Sequence, residues 1–177
     1  MKRVPVLVLL AALVLALAPE FPRYVAERRV GFTTAAFREI LDQPAGPATR
    51  TNVLALGALA VGQSSRLPGD PRPWILAGSA YLVTGQPPQA LEYYRQALAT
   101  GERAEIVLNL GRAYALMKQQ PSAETAFVRA GWISPEILAS LSPAVADPVR
   151  EQISKYAHAL AEGRLKEPPP LPEGDRP

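Results

Sequence analysis

The sequence predicts an all-α fold of stacked, antiparallel helical hairpins, and three observations predict it. The first is internal repetition: Gly78/Gly111, Tyr81/Tyr114, Ala90/Ala123, Tyr94/Phe127 and Ala97/Ala130 are pairs separated by the same 33 residues. A period in that range, with two helix-length segments per unit, marks a helical repeat array. The second is a pair of turn signals inside the units, Gly85-Gln86-Pro87-Pro88 and Gln119-Gln120-Pro121-Ser122. Each ends one helix and opens the next with proline in its first turn. The third is the lack of short alternating segments bounded by turn residues, which a sheet would need.

In chain order, the first element is apolar. Met1-Lys2-Arg3 is a basic start, and Val4 to Ala18 is a 15-residue apolar run broken only by Pro5 and halted by Pro19-Glu20. That length matches the core of a secretion signal and falls short of the roughly 20 residues of a comfortable membrane span. Ala16-Leu17-Ala18 offers a cleavage pattern, but Pro19 directly after it disfavours the cut. Residues 1–22 are therefore a signal peptide or a membrane anchor. The short basic start before a single apolar segment places the following domain outside the cytoplasm, although Arg23, Arg28 and Arg29 pull the other way.

Residues 23–70 read as a degenerate hairpin. Its helices are Phe32 to Asp42 and Asn52 to Arg66, joined by a loop from Gln43 to Ala48, with Gly57 and Ala60 at their close contact. The two clear units span 71–137 and are punctuated at Thr100-Gly101-Glu102 and Ser134-Pro135-Glu136. Gly78 and Gly111 stand mid-helix, where glycine costs about 1 kcal/mol relative to alanine, so something must approach the backbone there. The expected neighbours are Ala90 and Ala123, with Tyr81 and Tyr94, then Tyr114 and Phe127, supplying the bulk between helices. Residues 138–163 read as capping helices. Pro135 to Leu141 forms a short one, and Asp147 to Gly163 a longer one that starts at Asp147-Pro148 and carries Val149, Ile153, Tyr156, Ala157 and Leu160 at helical spacing. Residues 164–177 hold five prolines, three of them at Pro168, Pro169 and Pro170. Composition predicts an extended, disordered tail there, and the string from Pro168 to Pro172 is similar to ligands of proline-recognition domains.

The paired strings Asn109-Leu110-Gly111-Arg112-Ala113-Tyr114 and Ala90-Leu91-Glu92-Tyr93-Tyr94-Arg95-Gln96-Ala97 resemble tetratricopeptide repeats, with Pro135 where a repeat of that family closes. The resemblance covers about 71–137. It implies hairpins winding into a right-handed superhelix, flanked here by the N-terminal signal or anchor helix and a C-terminal capping helix. Each repeat buries its apolar face only against neighbours, and three or more are normally needed, so the flanking segments must complete the array.

In this family the first helix of each hairpin lines a concave face that holds a peptide or helix. Carried over, the resemblance implies a groove of Arg72, Ile75, Ser79, Leu82 and Val83 from the first unit. The second unit adds Glu105, Leu108, Arg112, Ala115 and Leu116. Such a groove is mostly apolar and suits an amphipathic helix or extended apolar segment, with Arg112 and Glu105 setting its register. A second reading stays open, in which Leu82, Val83 and Leu116 pack on flanking helices instead.

Catalysis has little to stand on. The chain has no cysteine and one histidine, His158, which has no triad context, and no acidic spacing calls for a metal. No cofactor, metal site or enzyme activity is expected, and at a net charge of +3 with scattered basic residues no nucleic-acid partner is expected either. The sequence thus points to a membrane-anchored or exported scaffold, with its repeats in the periplasm of a bacterial inner membrane. Its expected role is protein–protein interaction in assembly of a cell-envelope complex. The alternatives are a soluble periplasmic or secreted co-chaperone binding clients transiently, and an integral accessory subunit of a membrane complex.

Overall fold

A computed structural model of the chain describes residues 13, 14, 16, 18, 20–43 and 46–175. The described residues form helices and connecting turns, with no strand among them. The helices are α1 (Glu20–Leu41), α2 (Pro47–Val61), α3 (Arg72–Val83), α4 (Pro87–Ala99), α5 (Ala104–Leu116), α6 (Gln120–Ile133) and α7 (Pro143–Ala161). Short 3-10 segments follow α2 at Ser64–Arg66 and α6 at Pro135–Ser140. From α1 to α6 each helix packs against the next in sequence, so the chain builds a tandem stack, and α7 packs on α6.

The core is correspondingly divided. Ala26, Val30 and Leu67 form one small cluster, and Phe37, Val53, Ala60, Leu76 and Ala80 a second, where α1, α2 and α3 meet. The largest runs through α4, α5, α6, the second 3-10 segment and the start of α7, and includes Tyr94, Ile106, Leu110, Phe127, Leu138 and Val149. Helix α3 serves two clusters, giving Leu76 and Ala80 to one and Trp74, Ile75, Tyr81 and Leu82 to the other. A helix apolar on both sides is what a linear stack requires of its interior members.

The 33-residue register is visible in the packing. A Cβ built on Gly78 would lie 2.6 Å from Tyr94 Cε1, and one built on Gly111 would lie 2.5 Å from Phe127 Cε1. The closest neighbours of these glycines are therefore aromatic rings lying on the helix backbone, not Ala90 and Ala123, which are themselves buried. Tyr81 does not pair with Tyr94 as expected, because it stacks on Tyr93 with ring centroids 5.3 Å apart, and Trp74 extends the stack at 6.4 Å. Gly57 faces Ala77 and Ala80 of α3, so its close contact is with the next hairpin rather than within its own. Gly131 is a further close approach that the period does not reveal, with Ile153 and Leu138 against it.

The turns repeat as well. At the end of α3, Gly85 has φ 75°, its N–H donates to the Leu82 carbonyl, and the Gln86 N–H donates to the Tyr81 carbonyl at 2.9 Å. This is a Schellman closure with glycine in the left-handed position. The same two bonds recur 33 residues on, from Lys118 to Ala115 and from Gln119 to Tyr114, but here the left-handed residue is Lys118 at φ 60°. A side chain in that region costs about 1 kcal/mol relative to glycine. Lys118→Gly is expected to stabilise the protein by about 1 kcal/mol, read as a rise in thermal midpoint; an unchanged or lower midpoint would show that the turn carries no strain.

Several boundaries differ from the sequence expectation. Helix α1 begins at Glu20 rather than Phe32, and α2 begins at Pro47 rather than Asn52, with proline in the first turn and Gly46 extended before it. Helix α7 begins at Pro143, after an extended Ser142, so that Pro148 falls inside it rather than opening it. The short capping helix is a 3-10 segment. The apolar run Val4 to Ala18 lies largely outside the described residues. No helix among the described residues is long and apolar enough to cross a membrane.

The tail departs most from its composition. It folds back over α4, α5 and α6, with Pro169 and Pro172 fully buried and Asp175 only 4% exposed. Proline lacks an N–H, so such a segment can lie on a protein surface without stranding backbone donors, which is why low helix propensity does not oblige it to stay in solvent.

Candidate partner-binding groove

The residues assigned to the groove divide into three groups. Val83 and Leu116, at equivalent positions near the ends of α3 and α5, are 52% and 58% exposed. Glu105 and Ala115 are also exposed, while Ile75 and Leu82 are half-buried against the main core. Leu108 falls outside the groove: it is 3% exposed and belongs to that core. Leu138 of the 3-10 segment Pro135–Ser140, which contacts α5, belongs to the same core.

Polar groups in this region are largely committed to the fold. Arg72 is held by Asp70, its Nε lying 2.9 Å from Oδ2, and its own N–H donates to Asp70 Oδ1 at 2.9 Å. Burial alone would raise the Asp70 pKa, but the Arg72 hydrogen bonds outweigh it and the carboxyl is held below its ordinary range. Arg112 donates from Nη1 to Asn109 Oδ1 at 3.1 Å and from Nη2 to Ser140 Oγ at 2.9 Å, tying α5 to that 3-10 segment. Ser79 shares a 3.2 Å hydrogen bond with the Tyr94 hydroxyl. Burial pushes the Tyr94 phenol up to about 12, a shift the Ser79 bond only partly offsets, so it stays protonated within the core.

The exposed remainder is Val83 on α3, and Ala115 and Leu116 at one end of α5 with Glu105 at the other. Val83 also lines an open pocket of about 650 Å³ together with Ile40, Leu41, Arg50, Val53 and Thr84. Arg50 spans this pocket, donating to the Thr84 carbonyl at 2.5 Å. His158 is exposed in the last turn of α7, and no group of three or more His, Cys, Asp or Glu side chains converges among the described residues.

A polar cluster that sequence reasoning missed lies on another face. Arg95, Tyr114 and Arg129 bind the tail, whereas spacing alone assigns Tyr114 wholly to packing. The one sequence signal for this cluster is the placing of two arginines on successive second helices. The chain matches no protein-family model, no curated protein and no solved structure. Its assignment to helical-repeat architecture therefore rests on its own internal repetition.

Proposed function

We propose that this protein is a membrane-anchored or exported tetratricopeptide-like scaffold that holds another protein during assembly of a cell-envelope complex, with its repeats on the periplasmic side of a bacterial inner membrane. The observation that carries the reading is the repeated pair Val83 and Leu116, large apolar side chains left exposed at equivalent positions of two equivalent helices. Exposed apolar residues repeated at one position of successive hairpins suit an amphipathic partner segment laid across the repeats. Helix α1 supports the anchored form. It follows the apolar run in sequence and exposes Phe21, Tyr24 and Phe32 at 66%, 56% and 73%, with Arg28 beside Tyr24 and Phe32. Aromatic and basic residues are enriched where a chain leaves a membrane.

The test is affinity capture of the full-length protein from native membranes, beside Val83→Glu/Leu116→Glu, with mass spectrometry of partners and of the N-terminus. A stoichiometric envelope partner, an intact Met1 and loss of that partner in the variant at unchanged helical content are the expected results. An N-terminus at Pro19 with only weak and varied clients would replace the anchored scaffold with the soluble co-chaperone.

A further inference from the structure

The tail is seated on the body as a ligand is seated in a site. Burial recurs along it with a step of three: Pro169, Pro172 and Asp175 are buried, Leu171 is half-buried against the main core, and Pro168, Pro170, Glu173 and Gly174 are exposed. Three residues per turn is the period of a polyproline helix, so residues three apart share the face turned to a surface. After Pro172 the chain turns, with Gly174 at φ 91° and the Asp175 N–H donating to the Pro172 carbonyl at 3.1 Å. That turn delivers the carboxylate inward.

Both carboxylate oxygens are then bound. Arg95 Nε donates to Oδ1 at 2.7 Å, and the Tyr114 hydroxyl donates to Oδ2 at 2.6 Å, in a position where the Asp175 side chain is 0% exposed. Arg95 also reaches the Tyr114 hydroxyl at 3.3 Å, so the two donors are held together. Burial, then the bond to Asp175, raises the Tyr114 pKa, which keeps the hydroxyl a donor. At the other end Arg129 is fixed by Glu102 through two bonds of 2.6 Å, leaving Nη1 to donate to the Pro169 carbonyl at 2.9 Å. The donors therefore come from three successive helices of the stack and are oriented partly by contacts outside the tail. The start of the tail, residues 165–171, lines an open pocket of about 700 Å³ together with Glu102, Arg129 and Tyr156.

We propose that the face formed by α4, α5 and α6 is a recognition site for a proline-rich acidic peptide of the form Pro-x-x-Pro-x-x-Asp, occupied in cis by this chain's own tail and in trans by a partner segment of the same form. The side chains that hold the tail, Arg95, Tyr114 and Arg129, are not those of the apolar groove, so this is a second, separate binding face. A tethered segment competes at an effective concentration in the millimolar range, which lowers the apparent affinity for any free peptide until the tail is weakened.

The probe is a fluorescent peptide of residues 167–175, titrated into the full-length protein. Asp175→Lys, which sets a cation against Arg95, is expected to bind it at least about tenfold more tightly than the unaltered protein does. Adding Arg129→Gln to that variant is expected to reverse most of the gain. In the unaltered protein, saturating unlabelled peptide is expected to speed tryptic cleavage after Lys166 several-fold, because it displaces the tail. Equal binding by the unaltered protein and Asp175→Lys, no binding by either, or peptide-independent cleavage would overturn the proposal. So would loss of helical content in Asp175→Lys, which would make the tail a fixed part of the fold.

Discussion

Leu108→Glu is expected to unfold the protein. Leu108 is 3% exposed and lies among Ile106, Val107 and Leu110 on a helix whose residues are mostly buried. Removing a buried leucine costs about 2–5 kcal/mol, and an unpaired carboxylate in its place adds several more. The sum is comparable with the roughly 5–15 kcal/mol that holds a domain together. Loss of the cooperative thermal transition and of helical circular dichroism is the expected readout. Leu116→Glu, at a site 58% exposed, is expected to shift stability by no more than about 0.5 kcal/mol. A folded Leu108→Glu with an ordinary midpoint would place Leu108 back on the candidate groove. The contrast matters for function, because only residues that tolerate charge can report on binding without reporting on folding.

Gly111→Val carries the second largest expected effect, about 3 kcal/mol of destabilisation. The new Cβ would stand 2.5 and 2.6 Å from two carbons of the Phe127 ring, which is itself 4% exposed and has no solvent into which to swing. Some loss is recovered because any residue except proline outranks glycine in a helix, by up to about 1 kcal/mol. Chemical denaturation of Gly111→Val, Phe127→Leu and the double variant forms a cycle. The double variant is expected to be more stable than the sum of the single losses by over about 1 kcal/mol, since a smaller side chain at 127 makes room for the valine. Additive losses would mean that the ring does not rest on the helix. Gly31 supplies the control, because nothing lies within 4 Å of a Cβ built there, and Gly31→Ala at this exposed site of α1 should gain a few tenths to about 1 kcal/mol.

These expectations mark where the sequence is readable. The five pairs at 33 residues locate two hairpins, their turns and the glycines that need a close neighbour, and the structure has helices, turns and close contacts at those positions. Spacing is silent on which neighbour. Gly78 and Gly111 signal an approach, but an aromatic ring and an alanine both satisfy that signal, and only the crossing of α3 with α4 and of α5 with α6 selects Tyr94 and Phe127. Lys118 illustrates the converse: its residue type does not announce a left-handed turn, yet the repeat position does, since Gly85 stands one period earlier.

The candidate groove is legible only in part. Periodicity assigns Ile75 and Leu108 to the same face of equivalent helices, and they do hold equivalent positions. Their burial nonetheless differs, Leu108 lying in the core and Ile75 half-buried at its edge, which spacing does not distinguish.

By itself, then, the sequence determined the helical class, the repeat register and the location of close backbone contacts, because these depend on spacing within tens of residues. Tertiary structure alone decided that Leu108 is core, that Val83 and Leu116 stay exposed, and that the tail lies on the body. Asp175 reaches Tyr114 across 61 residues of chain and Arg95 across 80. Contacts at that separation leave no local periodicity, and the same prolines that cannot enter a helix lack the backbone donors that would otherwise penalise burial on its surface.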